Sequence, residues 1–341
     1  MSAGEIGFSI SKGIKGIVET LSNGYNLVLR QIWLLALPVA LDVYLWLGPR
    51  LSVQPLTRLL LGFLSPSEQV AEGVRPMVEN VRDLLETWGQ EKNLFALLSN
   101  SLVGLPSYLA DGLPAGIGET SVVWGEDSNV WIVLLLGSVL AALGLFLGTL
   151  YLAAIAQISR QGRLSLGYLL RRVWRYWGLI LLFGMLLGGL LFLLVTPALL
   201  VVQLLGAVSA PLAELALFGV FGLLLWLWFH LIFVPQAVVN EANLLLAVWN
   251  SLIVVARNFW SALFLVLLMV LIQAGFDIVW DRLSQNAPLM ALSIAGNAFI
   301  GTGLIATALI FYQDRLAQWI EWLNRIRPEK NGDAKFEGRA S

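Results

Sequence analysis

The sequence predicts an all-α, polytopic membrane helix bundle: about six transmembrane helices, arranged as three hairpins, with amphipathic interfacial helices. Three observations carry that expectation. Of 341 residues, 58% are hydrophobic and only 13% are charged, where soluble domains carry about a quarter charged residues. The apolar residues gather into six long stretches, and a helix crossing roughly 30 Å of hydrocarbon needs about 20 such residues, because lipid offers its amides no partner. Finally, Lys and Arg concentrate in alternate connections between those stretches.

The first stretch runs from Ile32 to Gly48, short and bracketed by Arg30 and Arg50, so residues 31–50 form the first transmembrane segment. The second runs from Trp131 to Ile158 and the third from Trp177 to Leu205. After a turn at Ser209, Ala210 and Pro211, the fourth runs from Leu215 to Val239; the fifth is Phe259 to Trp280 and the sixth Met290 to Tyr312. Residues 130–315 thus hold the other five helices of the bundle. Pro38 and Pro197 are positions where a span is expected to bend.

Short loops rich in Lys and Arg stay on the cytoplasmic side. Arg160, Arg163, Arg171, Arg172 and Arg175 follow the second span, and Arg315, Arg325, Arg327, Lys330, Lys335 and Arg339 follow the sixth. Four spans separate these two groups, so they fall on one side, and Lys12, Lys15 and Arg30 place the N-terminus there too. The expected location is the cell membrane, multi-pass, with both termini cytoplasmic. The first long apolar run begins too far from the start for a cleaved signal, so the chain is expected to be kept whole.

A unit recurs along the chain: an amphipathic stretch runs into a Trp-bearing membrane entry, then a pair of spans. YLLRRVWRYW, ending at Trp177, aligns with SLIVVARNFW, ending at Trp260, and LSNGYNLVLRQIW, ending at Trp33, is a looser copy. Either the hairpin was duplicated, or these are the aromatic anchors common to polytopic proteins. In residues 1–30, Ile10, Ile14, Ile17, Val18, Leu21 and Tyr25 form a helical stripe expected to lie in the interface plane. Residues 316–341 repeat the device with Leu316, Trp319, Ile320, Leu323 and Ile326 before Pro328, and end in a disordered tail.

The segment Phe233 to Trp260 and the exit FYQDRL (Phe311 to Leu316) resemble uncharacterised bacterial six-span proteins related to the membrane domain of glycerophosphodiester phosphodiesterases. Pro235, Glu241, Ala247, Ser251, Asp314 and Arg315 fill the places of that family's pattern, over roughly the C-terminal half. The resemblance implies a six-span bundle. It does not bring the phosphodiesterase activity, since no part of this chain has the length or alternation of the soluble barrel that carries it.

Residues 51–129 are expected outside the cell, as a helical cap packed on the bundle, a lid or a docking surface. Val74, Met77, Val81, Leu84, Leu85 and Trp88 form a helical stripe, with Pro76 either kinking the helix or starting it afresh. From Gly104 to Asn129, Gly, Pro and Ser predict a loop.

An ionisable group inside a span is costly and marks a candidate site. Asp42 and His230 occupy middle positions of the first and fourth spans and are expected at a shared depth; paired, they would form a proton-linked switch or a structural bond between helices. Asn297, in the sixth span, completes the candidate intramembrane polar site. Gly144 with Gly148, and Gly184 with Gly188, are small-xxx-small faces that permit close helix packing.

The absence of cysteine and the single histidine exclude thiolate and His-rich metal chemistry. GxSxG, HExxH, Walker and dinucleotide glycine motifs are also missing from the sequence. No catalytic residue, cofactor or metal is therefore assigned, and the protein is expected not to be an enzyme. The function expected is a non-catalytic scaffold, sensor or envelope accessory; the alternative is a small permease or channel using Asp42 and His230. Expected partners are the lipid bilayer and a protein partner or second copy through the membrane faces. A net charge of −1 gives nucleic acid no attraction.

Overall fold

The structure, a computed structural model, describes residues 3–63, 75–99, 103–110, 112, 129–241, 243–284 and 287–326. Among them there is no strand, only an isolated bridge between Ser52 and Asn93. The stripe residue Val74, most of the stretch 104–129, Pro328 and the tail lie outside the described residues.

The chain enters as α1 (Ala3–Arg30), breaks at Gln31, and continues through a 3-10 turn (Ile32–Leu35) into α2 (Ala36–Leu47). The two arms meet at 90°. That elbow follows from composition: α1 is strongly two-faced and suits an interface plane, whereas α2 is apolar nearly all round and suits the hydrocarbon. Residues 32 to 47 reach about 24 Å at the helical rise, short of a roughly 30 Å core. Only when this bent pair is counted as one span does the number of crossing helices rise from five to six.

Two shorter helices follow, the first of which also packs on the bundle helix that begins at Val130. α3 (Gln54–Phe63) packs on α4 (Arg75–Glu91), with Gly89 against Thr57. Pro76 falls in the first turn of α4, where its missing N–H has no helical acceptor to lose. Of the expected stripe, Val81 and Leu85 are half-buried, but Leu84 is 68% exposed.

The remaining helices are α5 (Val130–Gln161), α6 (Leu166–Val208), α7 (Ala210–Leu231), α8 (Val234–Glu241), α9 (Leu244–Arg257), α10 (Phe259–Leu283) and α11 (Ala287–Ile326). Local chemistry sets several ends. Asn129 caps α5 by accepting from the Trp131 amide at 2.9 Å, Gly162 closes it at φ 68°, and Asn243 caps α9 through the Leu246 amide. α6 is 43 residues long because its amphipathic entry continues into the span without a break.

α11 is the centre of the molecule. Met290, Ile294, Ala298, Leu309 and Tyr312 are fully enclosed, and α1, α2, α5, α8, α9 and α10 all pack on it. α1 crosses it where Gly24 meets the Gly303 carbonyl and Thr307, while the Tyr25 ring covers Gly303; a side chain at either glycine would overlap these groups. At the other extreme, the α6–α7 hairpin turns Met185, Phe192, Leu204, Leu215, Phe218 and Phe221 outward. In lipid such a surface is satisfied rather than exposed. α6 packs on α7 and α10 on α11, arm against arm. In the first hairpin another segment lies between α2 and α5, and that segment makes the site.

Candidate functional site: a segment threaded into the bundle

Residues 93–99 and 103–110 do not rest on the bundle; they thread into it. The entry is fixed where the Leu94 amide donates to the Leu51 carbonyl at 2.8 Å and the Leu51 amide to Asn93 Oδ1 at 3.0 Å. A 3-10 turn, Leu94–Ser99, then runs down one face of α5: Leu94 lies beside Gly137, the Leu97–Leu98 backbone against Gly144, and the Val103 carbonyl against Gly148. From Gly137 to Gly148 is about 16 Å of helix. The return path lies along α11 and α10. Pro106 covers Gly301, and the Tyr108 hydroxyl donates to Asp281 Oδ1 at 3.0 Å and lies 2.8 Å from Ser284 Oγ, from which it accepts. Ser99 Oγ, donating to the Leu105 carbonyl at 2.8 Å, joins the two limbs.

Irregular backbone inside a membrane protein needs partners supplied by side chains, because neither helix nor water satisfies it. Asp42 supplies them. Its carboxylate is fully buried and accepts from Ser107 Oγ at 2.5 Å, the Tyr108 amide at 2.9 Å and the Leu109 amide at 3.2 Å. A carboxylate is the one side chain of this length that accepts several bonds and donates none when ionised.

The expected meeting of Asp42 with His230 does not occur. Among the described contacts nothing joins them: His230 Nδ1 lies 2.8 Å from the Trp226 carbonyl one turn back, its ring stacks on Trp226 at 4.4 Å, and its own carbonyl accepts from Ser251. The shared depth was inferred from each helix separately, and the threaded segment reaches Asp42 instead. Asn297 belongs to neither group. Its Oδ1 accepts from Gln273 at 3.1 Å, and Gln273 also donates to Asp277, so this cluster ties α10 to α11.

Gly144 and Gly148 do permit a close approach, but of the threaded backbone rather than of another helix. On α6, a Cβ at Gly188 would meet nothing within 4 Å, so no helix packs there; its expected partner Gly184 is half-buried. The small-residue spacing is the same in both pairs, and only position against the segment separates them.

Under the tip lies a cavity of about 520 Å3, lined by Val103, Gly104, Leu152, Phe183, Leu187, Trp228, Leu231, Ile232, Pro235, Gln236 and Ile305. It is mainly apolar, and Gln236 Oε1 there is buried without a hydrogen-bond partner. On the face bearing most of the arginines, Tyr312 donates to Glu241 at 2.6 Å, Gln313 to Asn240 at 3.1 Å, and Ser159 to Gln313 at 3.0 Å. Sequence reasoning missed Ser107, Tyr108, Tyr312 and Gln313, as it did the buried Tyr151–Thr302 bond of 2.6 Å. The one available signal was Asp42 itself, a charged acceptor at mid-span whose oxygens need donors.

The fold and this arrangement define a multi-pass, all-α membrane protein with an irregular segment pinned inside its bundle. Comparisons with protein-family models, with curated proteins and with solved structures give no match.

Proposed function

We propose that the protein is a non-catalytic component of the cell membrane, a scaffold or envelope accessory, with both termini in the cytoplasm. The observation that carries this reading is how the intramembrane polar groups are used. Asp42 is filled by Ser107, Tyr108 and Leu109, Asn297 by Gln273, Tyr151 by Thr302, and His230 by a carbonyl of its own helix. Each of these bonds holds one part of the chain to another. The outward apolar face of the α6–α7 hairpin offers lateral packing in the membrane to a protein partner or a second copy. The arginines after the second span and after the sixth support the cytoplasmic placement.

The likeness to the membrane domain of glycerophosphodiester phosphodiesterases belongs to this proposal. It is supported by the burial of Ala247 and Ser251 on α9 and by the bond from Tyr312 to Glu241, which gather much of that pattern at one end of the bundle.

A second reading is favoured by the cavity at Gln236: a small permease in which the threaded segment lines the path, as irregular backbone does in some membrane proteins. One experiment separates the two. Purified protein in liposomes is assayed for movement of protons and of small anionic and neutral solutes; the scaffold reading expects flux equal to that of empty liposomes, whereas saturable flux lost on Gln236→Leu would establish the permease.

A further inference from the structure

The arginine-bearing face holds another hollow, of about 250 Å3, bounded by Arg257, Asn258, Arg315, Gln318, Trp319 and Trp322. Arg257 ends α9 just before Phe259 begins the fifth span, and Arg315 follows Tyr312 at the end of the sixth. The two guanidiniums therefore stand at the level where the apolar helices give way to polar ones. Arg257 is fixed by its flat face, its central carbon 4.2 Å from the Trp319 ring and 4.3 Å from the Trp322 ring, while the indoles stack on each other at 4.8 Å. A guanidinium held this way keeps its N–H edge free for in-plane acceptors. Arg315 lies over Phe311 at 5.3 Å and donates to Gln318 at 3.0 Å, yet its Nε is buried with no acceptor.

Neither arginine forms an ion pair with a described carboxylate. Burial lowers the pKa of Arg315, and the charge of Asp314 only partly opposes it; Glu19 faces Asp314, and Glu321 is engaged by Arg325. Two cations, an unfilled N–H and an indole floor at the edge of the hydrocarbon select an anion that arrives from within the membrane. Basic pockets between spans recognise lipid headgroups in this way, and planar guanidinium matches phosphate with paired bonds.

We propose that Arg257 and Arg315 bind the phosphate of an anionic phospholipid headgroup, with Trp319 and Trp322 as the wall of the site. The purified full chain in neutral detergent is offered phosphatidylglycerol, phosphatidylcholine of the same acyl chains, or inorganic phosphate. Retention is counted by native mass spectrometry, and the unfolding temperature is followed in parallel. The expected result is retention and a raised unfolding temperature with phosphatidylglycerol alone, falling at high ionic strength. The double variant Arg257→Gln with Arg315→Gln loses at least about tenfold in apparent affinity. The control of equal charge change, Arg171→Gln with Arg175→Gln, keeps it. Equal retention of both lipids, or of phosphatidylglycerol by the folded double variant, overturns the proposal. An equal effect of inorganic phosphate also overturns it and assigns the site to a free anion. Should the double variant fail to fold, the lipid, phosphate and salt comparisons on the unaltered protein decide the question.

Discussion

The carboxylate of Asp42 and the backbone amide of Tyr108 meet at 2.9 Å, although 66 positions separate them in the chain. The bond joins the shortest span to the segment that threads into the bundle. Removing the acceptor strands a hydroxyl and two amides at once, and each buried unsatisfied group costs about 1–3 kcal/mol. Asp42→Ala is therefore expected to destabilise by about 3–5 kcal/mol in a detergent unfolding experiment, and Ser107→Ala by only about 1 kcal/mol. Equal stability of the two variants would show that the segment is held elsewhere.

Gly144 tests the descent along α5. A Cβ there would overlap the Leu97 carbonyl and the Leu98 backbone, which belong to backbone and cannot rotate away. Because the chain contains no cysteine, Val103→Cys is a single reporter without further engineering. It should be protected from a membrane-impermeant maleimide in the otherwise unaltered protein and become labelled when combined with Gly144→Leu. Unchanged protection in the combined variant would count against the threaded path.

The crossing of α1 over α11 gives a matched comparison between glycines. Gly24→Leu drives a side chain into Thr307 and the Gly303 carbonyl, so a loss of several kcal/mol is expected, in line with overpacking that the neighbours cannot relieve. Gly188→Ala meets nothing within 4 Å on the hairpin, and the better helix propensity of Ala should make it neutral or slightly stabilising. The two unfolding temperatures, measured side by side, check the ranking.

Orientation is testable independently of packing. A reporter that works only in the cytoplasm should be active when fused after Ile326 and inactive when inserted near Asn129. The reverse pattern would overturn the assignment made from the arginines.

Much of the fold was legible because lipid makes a strong demand: Trp131 to Ile158 and Phe259 to Trp280 announce themselves by unbroken apolar length, and helices cover both. Leu94 to Leu109 carries no such mark. It is too short to span, mixes Ser, Asn and Pro among its leucines, and has neither helical nor strand period, so its burial depends on partners distant in sequence. Those partners were each conspicuous, Asp42 as a charge at mid-span and Gly144 with Gly148 as a small-residue face, but nothing local tied them together. His230 misled for the opposite reason: a lone histidine in a span draws a functional reading, while one carbonyl on its own helix accounts for the described hydrogen bond of its ring.

The α6–α7 arm has a further consequence. Its second limb, α7, counts 22 residues, or about 33 Å at the helical rise, against a hydrocarbon layer of about 30 Å. A limb of that length fits the layer at a lean of about 25° from the normal, within the range of about 0–40° usual for spanning helices. The break between Leu231 and Val234 therefore fits the second limb of the hairpin to the bilayer without a mismatch.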